Sequence, residues 1–342
     1  KTISAASGII PQIAVIDGVC GGSSAVAASM FDFAVTVKGK SEFYVNPPFV
    51  VGKEAGSAEF ASVSGISAYE AEDEAQAFAF VRKLLPSLPQ NNSDSAYVET
   101  SDSMNRTLTF DPSDYTAEAL VKELADGGEF ARLYAAYTDK LVLGFASLGG
   151  VTSGIIACEP GCDGVLDIKA ARVAAKRVTF CDSFRIPVIT LVDSVGLDAS
   201  LTAENAAYAS ELARLAMAYT TSENPKITAV IGKAYGAAFT LLGSKSVGAD
   251  LTYALEGACI SVLSPEASVA FVWNDKVGEK SREELEAEWK EKCSSAADAA
   301  DAGQIDDVIE AAELRKRICA GLMMLSSKTD GQPTRRHANM PL

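Results

Sequence analysis

Between residues 224 and 250, apolar side chains alternate at Ile227, Ala229 and Ile231 behind Pro225. The alternation then breaks into Gly232, Gly236, Ala237 and Ala238, ahead of an apolar run reaching Leu242. Period-two alternation predicts a buried strand, and the small residues after it predict a tight turn into a helix. The same order of signals occurs at residues 10–33. With Pro11 set on Pro225, Ile13 falls on Ile227, Gly18 on Gly232 and Gly22 on Gly236. Ser23 and Ser24 take the places of Ala237 and Ala238, and Asp32 and Asp250 close the two units if the second carries a short insertion. A strand, glycine turn and small-residue helix present twice predict a duplicated unit. The first N–H groups of each helix lack partners within it, so each turn can receive an oxyanion or a phosphate. Close packing of backbone on backbone would demand the same glycines.

Elsewhere the pattern predicts a strand at 33–37, an extended segment at 41–50 broken by Pro47 and Pro48, and a loop at 54–65. Residues 70–85 carry a helical stripe through Ala77, Phe80, Val81 and Leu84, stopped by Pro86. The polar, proline-bearing stretch after it reads as a linker. Asp111 or Ser113 is expected to cap a helix that ends before Asp126-Gly127-Gly128. Residues 141–145 and 152–157 read as a hairpin turned at Gly149-Gly150, 167–184 as a helix, and 186–192 as a fully buried strand. The residues from Asp193 to Ser200 then form a loop at the carboxyl end of that strand, where ligands favour open α/β sheets. A helix at 204–220, a strand at 258–263, a helix opened by Ser264-Pro265, a charged helix at 280–292, a short strand at 305–309 and a last helix at 313–325 complete the chain.

Composition narrows the chemistry. With 342 residues the chain can build two cored domains, and a formal net charge of −15 argues against nucleic acid as a main partner. Seven scattered cysteines, an odd number, point to a reducing compartment, and a cytoplasmic location is expected. Cys158 and Cys162 have metal-like spacing, yet no second pair or histidine completes a site, so no metal is expected. The single histidine, His337, stands in the tail, which removes the usual base from Ser-His-Asp and Cys-His mechanisms unless the tail folds inward. No apolar stretch reaches the ~20 residues that span a bilayer, so direct membrane insertion is not expected.

The segments IPQIAVIDGVCGG, VRKLLPSLPQNN, ADGGEFARLYAAYTDKLVLGFASLGG, GVLDIKAARVAAKRVTFCDSFRIPVITLVDS and PKITAVIGKAYGAAF, with the closing RRHANMPL, resemble the biotin-dependent acyl-CoA carboxyltransferases of the crotonase superfamily. That family includes propionyl- and acetyl-CoA carboxylase β subunits, the large transcarboxylase subunit and methylmalonyl-CoA decarboxylase α subunits. The resemblance implies an α/β fold of two crotonase-like (ClpP/crotonase) domains built of repeated ββα units. Residues 1–90 would be the acyl-CoA domain, 91–112 the linker and 113–342 the biotin domain. In the family roughly 100 further residues precede position 1, which agrees with a first copy lacking its leading strands. The activity implied is carboxyl transfer between carboxybiotin on a carrier protein and the α-carbon of a short acyl-CoA, in the propionyl-/methylmalonyl-CoA or acetyl-/malonyl-CoA class. Because the cofactor supplies the base, no histidine is required. The protein supplies two oxyanion holes. By resemblance Gly22 and Ser23 are the donor pair for the thioester oxygen, with Ser24 an alternative, and Ala237 and Ala238 the pair for the biotin oxygen. Gly21, Ser24, Tyr235, Gly236, Phe239 and Thr240 fall at the surrounding binding positions, Thr240 where the family selects among acyl side chains. The implied partners are a biotin carboxyl carrier protein and a biotin carboxylase or membrane decarboxylase subunits. Family members pair the N-domain of one subunit with the C-domain of another, giving at least a dimer and commonly a hexamer.

Three places depart from the family pattern. Gly22-Ser23-Ser24 replaces Gly-Gly-Ala, Asp193-Ser194-Val195-Gly196-Leu197 replaces Asp-x-Pro-Gly-Phe, and the histidine-bearing stretch near residues 59–65 is shortened. Two other readings therefore stay open. A crotonase-fold hydratase, isomerase or CoA-ester decarboxylase working without biotin would need a side-chain base. Neither glycine turn carries Glu or Asp, and Asp17 is expected on a strand. A non-catalytic assembly subunit would keep the fold and lose the site.

Overall fold

The computed structural model describes residues 1–328. His337 and the RRHANMPL segment lie outside the described residues. Strands β1 (Ile13–Ile16), β3 (Phe33–Val37) and β5 (Tyr69–Ala71) form one parallel sheet, and β2 (Val19–Gly21) pairs with β4 (Glu42–Tyr44) beside it. The second sheet holds β6 (Phe130–Leu133), β7 (Leu141–Leu148), β8 (Val151–Cys158), β9 (Val188–Ser194), β10 (Lys226–Tyr235), β11 (Leu251–Leu255), β12 (Cys259–Ser261) and β13 (Asp307–Ile309). Its order is β13-β11-β10-β9-β8-β7-β6, with β12 against the end of β10. Strands β6, β7 and β8 pair antiparallel; from β8 onward the pairing is parallel.

Both faces of this second sheet are covered, as parallel pairing requires. Val188, Val192 and Val230 face a core filled by the helices Ile168–Ser183 and Tyr208–Thr221. Ile189, Leu191, Ile227, Ala229 and Ile231 face the opposite core, under the helices Ala117–Leu124 and Leu314–Met324. The first of these cores continues into the three-stranded sheet through Phe33, Val35 and Val37, where Phe33 meets Phe145 and Phe180 edge-on. A buried guanidinium ties the second core together. Arg315 is fully buried and reaches Asp126 at 2.5 Å, the Leu124 carbonyl and the Ser103 carbonyl. The same Asp126 carboxylate accepts from the Gly149 and Gly150 amides at 3.0 and 2.8 Å, so the residue expected to end a helix also fixes the hairpin turn.

The duplication is visible in the register. Ile13 pairs with Phe33 as Ile227 pairs with Leu251, and Val35 pairs with Tyr69 as Tyr253 pairs with Asp307. Val19 pairs with Glu42 as Lys233 pairs with Cys259. Ser57 caps the helix Ala58–Val63 as Ser295 caps Ala296–Asp301. Between β12 and Ser295 the second copy inserts the helices Pro265–Val272 and Arg282–Cys293. The first copy has only the short turn Pro48–Val51 and a loop at the matching place.

Several local expectations change. Residues 54–65, expected as loop, contain the helix Ala58–Val63, too short to show a period but N-capped by Ser57. The helix expected from residue 70 begins at Glu74 behind the Asp73 cap, because Glu70 and its neighbours pair with β3 instead. Thr116, not Asp111 or Ser113, caps the next helix; the Asp111 carboxylate is taken by Ser113. Asp193 lies within strand β9, which runs on to Ser194, and does not start a loop. Asp17 lies just after β1 and pairs with Lys40 at 2.8 Å.

Candidate functional site

Each copy delivers its turn by the same device. In the first, β2 ends at Gly21, and Gly22 adopts φ +60, ψ −127 before the helix Ser23–Ala28. In the second, β10 ends at Tyr235, and Gly236 adopts φ +59 as it opens the helix Gly236–Leu241. A side chain is strained at both positions. At Gly22 a β-carbon would meet nothing within 4 Å, so the backbone angle alone excludes it. At Gly236 it would also lie 3.2 Å from the Val262 carbonyl. Gly21 is glycine for another reason: a β-carbon there would lie 2.7 Å from the Tyr44 ring.

The hydrogen bonds correct one assignment. The Gly22 N–H donates to the Tyr44 carbonyl at 2.9 Å and is unavailable to a ligand. The first helical return bond, from Val26 to the Gly22 carbonyl, begins only beyond Ser23 and Ser24, and no side chain caps this helix. The donors left over are those of Ser23 and Ser24, both exposed. By position Ser23 and Ser24 correspond to Ala237 and Ala238 in the second copy.

Around the second turn, Ala237 and Thr240 are exposed, whereas Ala238 and Phe239 are buried in the main core. Phe239 and Ala238 therefore hold the helix down by their side chains, and Ala237 and Thr240 lie on its open edge. Tyr235 is buried; burial first, and then a hydrogen bond to Cys259, push its hydroxyl pKa up, so it stays protonated. The helix Ser23–Ala28 packs on a separate small core with Ile16, Ala34, Phe43 and Ala61. The two turns thus stand over different cores, and among the described residues no hydrogen bond or ion pair joins them.

Behind the second turn lies a cavity of about 760 Å³, lined by Tyr115, Asp193, Gly232, Lys233, Tyr235 and Cys259 among others. Asp193 accepts from the Lys233 N–H at 2.8 Å and from the Tyr115 hydroxyl at 3.0 Å. Burial, then the Asp193 charge, raise the Tyr115 pKa, which keeps Tyr115 a donor. Sequence reading missed Tyr115. The available signal was a lone carboxylate closing the apolar run IPVITLV, since a carboxylate there needs buried partners. Burial also pushes the Cys158 thiol up to about 12, against nucleophilic or metal-binding use. Among the described residues no group of three His, Cys, Asp or Glu side chains is placed to hold a metal. No described helix is long and apolar enough to cross a membrane.

Residues 1–340 match the carboxyl transferase domain family. The propionyl-CoA carboxylase carboxyltransferase subunit of Haloferax mediterranei is 33% identical over 362 aligned residues, covering 98% of this chain and 70% of that protein. The methylmalonyl-CoA carboxyltransferase 12S subunit of Propionibacterium freudenreichii subsp. shermanii is 32% identical, covering 98% of this chain and 68% of that protein. The crystal structure of transcarboxylase 12S, described as a hexamer assembly with methylmalonyl-coenzyme A and methylmalonic acid bound, superposes with a TM-score of 0.93. It does so at 31% identity, over 99% of this chain and 70% of that one.

Proposed function

The chain belongs to the carboxyl transferase domain family, and we propose that it moves a carboxyl group between biotin on a carrier protein and the α-carbon of a short acyl-CoA. The fold is the crotonase-like α/β fold of transcarboxylase 12S, and the enzyme class is carboxyltransferase. The observation that carries the finer reading is the pair of glycine turns in one register, each opening a helix whose first N–H groups are not capped by a side chain. Such donors, fixed before the reaction starts, stabilise charge as it develops on an oxygen, each worth about 3 kcal/mol.

In this reading Ser23 and Ser24 receive the thioester oxygen of the acyl-CoA in residues 1–90, and Ala237 and Ala238 receive the ureido oxygen of biotin in residues 113–342. Biotin, when bound, supplies the carboxyl group and the base for the α-proton. The Ala237 and Ala238 N–H groups would stabilise the charge that develops on its ureido oxygen. Thr240, exposed one turn along, stands where the acyl substituent would be felt. In this reading neither Asp17, paired with Lys40, nor Tyr235, which stays protonated, serves as the base.

The two turns over separate cores favour an active site completed by a second subunit. Apolar side chains follow both β4 and β12 at the surface: Phe49 is 89% exposed, Val262 77% and Phe271 81%. Patches of that kind mark contact surfaces, and the first copy's patch set against the second copy's would bring unlike turns together in a dimer or a hexamer. The biotin carrier and the subunit that charges or discharges it are the other partners proposed, with a cytoplasmic location.

The test is carboxyl transfer from methylmalonyl-CoA or malonyl-CoA to biotin, using the full-length assembled protein with and without avidin. Product that forms with biotin and disappears when avidin sequesters it is the expected result. Turnover of the thioester unaffected by avidin would replace this reading with a biotin-independent one, and no turnover in an assembled oligomer would favour a structural subunit.

A further inference from the structure

Strand β10 does not run straight to its turn. Against β9, Val230 pairs with Val192 and Ala234 with Ser194, so Ile231, Gly232 and Lys233 stand opposite Asp193 alone. This bulge switches the strand between neighbours. Before it, Ile227 to Val230 pair with β11; after it, Lys233 to Tyr235 pair with β12. Bulges bend a strand, re-aim the residues beyond them and leave a backbone group without its ladder partner. Beyond this bulge come Tyr235 and then Gly236, where the turn begins.

The Asp193 carboxylate occupies the bulge. One oxygen accepts the Lys233 N–H at 2.8 Å; the other accepts the Tyr115 hydroxyl at 3.0 Å. The fit leaves no room at Gly232, where a β-carbon would lie 2.6 Å from the carboxylate. The Asp193 main chain is equally confined, because a β-carbon on Gly164 would lie 1.8 Å from its carbonyl oxygen. Asp193 is 9% exposed, and with one acceptor bond on each oxygen it is set on two sides. In the first copy the matching chain breaks into β1 and β2, which belong to different sheets.

Resting on the carboxyl-transfer reading above, we propose that Asp193 is a positioning residue for the second turn. It fixes the bulge at residues 231–233, with Tyr115 holding its carboxylate, and so sets the direction in which the Ala237 and Ala238 N–H groups point. Tyr115, from the segment between the two sheets, thereby takes part in shaping the site without touching the reacting atoms.

The experiment compares Asp193→Ala, Asp193→Asn and Tyr115→Phe in the full-length assembled protein, by carboxyl transfer to biotin and by amide hydrogen exchange. Asp193→Ala is expected to lower kcat at least about tenfold while the acyl-CoA KM stays within about twofold, because the thioester is held at the other turn. Asp193→Asn should recover kcat to within about threefold: its amide oxygen still accepts from Lys233 and its NH2 can donate to the Tyr115 oxygen. Tyr115→Phe should fall between the two. Exchange at the Lys233 amide should quicken in Asp193→Ala and not in Asp193→Asn. An Asp193→Ala protein with wild-type kcat, or one whose Lys233 amide stays protected, overturns the proposal. So does a loss that raises the acyl-CoA KM equally or is not rescued by Asn, since that is general destabilisation. If the unsubstituted protein transfers nothing to biotin, the functional reading fails by itself, and exchange at Lys233 still decides whether Asp193 holds the bulge.

Discussion

Asp32 and Asp250 hold one position in two copies of the same unit. Each carboxylate accepts the backbone N–H that comes after a proline, Gln12 for Asp32 and Lys226 for Asp250, at 2.7 Å in both. Each also returns its own N–H to the carbonyl of that residue, at 3.0 and 2.9 Å. The pair of bonds closes the start of β1 on β3 and of β10 on β11, which sets the register that brings both glycine turns out at the same end. Asp32→Ala and Asp250→Ala should each lower stability by about 1–3 kcal/mol, read by denaturant unfolding. Asparagine at position 32, which keeps the acceptor, should recover most of it; at position 250 it also gives up the ion pair with Lys328 and should recover less.

Gly236→Val adds a side chain where φ is +59 and the Val262 carbonyl is 3.2 Å away. The turn must open, and its N–H groups with it. Steady-state kinetics of carboxyl transfer to biotin should show kcat down by about two orders of magnitude, with the acyl-CoA KM little changed. Normal turnover in a folded variant would remove this turn from the site.

Thr240 is exposed on the short helix that begins at Gly236. Thr240→Ile adds bulk beside the proposed acyl substituent. The ratio of kcat/KM between acetyl- and butyryl-CoA should shift, modestly, because a methylene discriminates by only about 1–3 kcal/mol. The measurement is the ratio within one preparation, so a general loss of activity cancels.

Arg315 is completely buried, with Asp126 its nearest carboxylate. Removing the guanidinium leaves that carboxylate uncompensated beside the Gly149-Gly150 turn. Arg315→Leu should cost about 3–5 kcal/mol by denaturant unfolding. The double variant Arg315→Leu with Asp126→Leu should cost less than the sum of the single ones.

Asp102 carries the one acid-side prediction. The Arg106 guanidinium, at 3.0 and 3.1 Å, holds its carboxyl down to about 2, against the opposing effect of burial. A carboxyl with a depressed folded pKa contributes stability above its unfolded value, about 3.9, and loses it as pH falls through the folded one. Wild-type stability should therefore decline between pH about 4 and about 2 more steeply than that of Asp102→Asn. Parallel curves would show that the pair contributes nothing to folding.

Features that need only their own neighbours were legible in the amino-acid order. The duplication could be read because period-two strands and glycine turns leave a fixed spacing, from Pro11 to Gly22 and from Pro225 to Gly236. The helix starts at Asp167 and Ser264 could be read for the same reason: each is closed by a side-chain cap three residues away. Features that depend on a distant partner were settled by tertiary contacts. The Gly22 N–H is taken by the Tyr44 carbonyl at the end of β4, which leaves the N–H groups of Ser23 and Ser24 as the open ones of the proposed site. Residues 69–71 join a sheet, although a helical pattern extends to residue 70, because β3 offers an open edge. Residues 58–63 form a helix too short to be periodic, held by a serine cap and a small core. Asp193 and Tyr115, 78 positions apart, meet only when β9 and the segment after the first sheet are folded together, and no local pattern could join them.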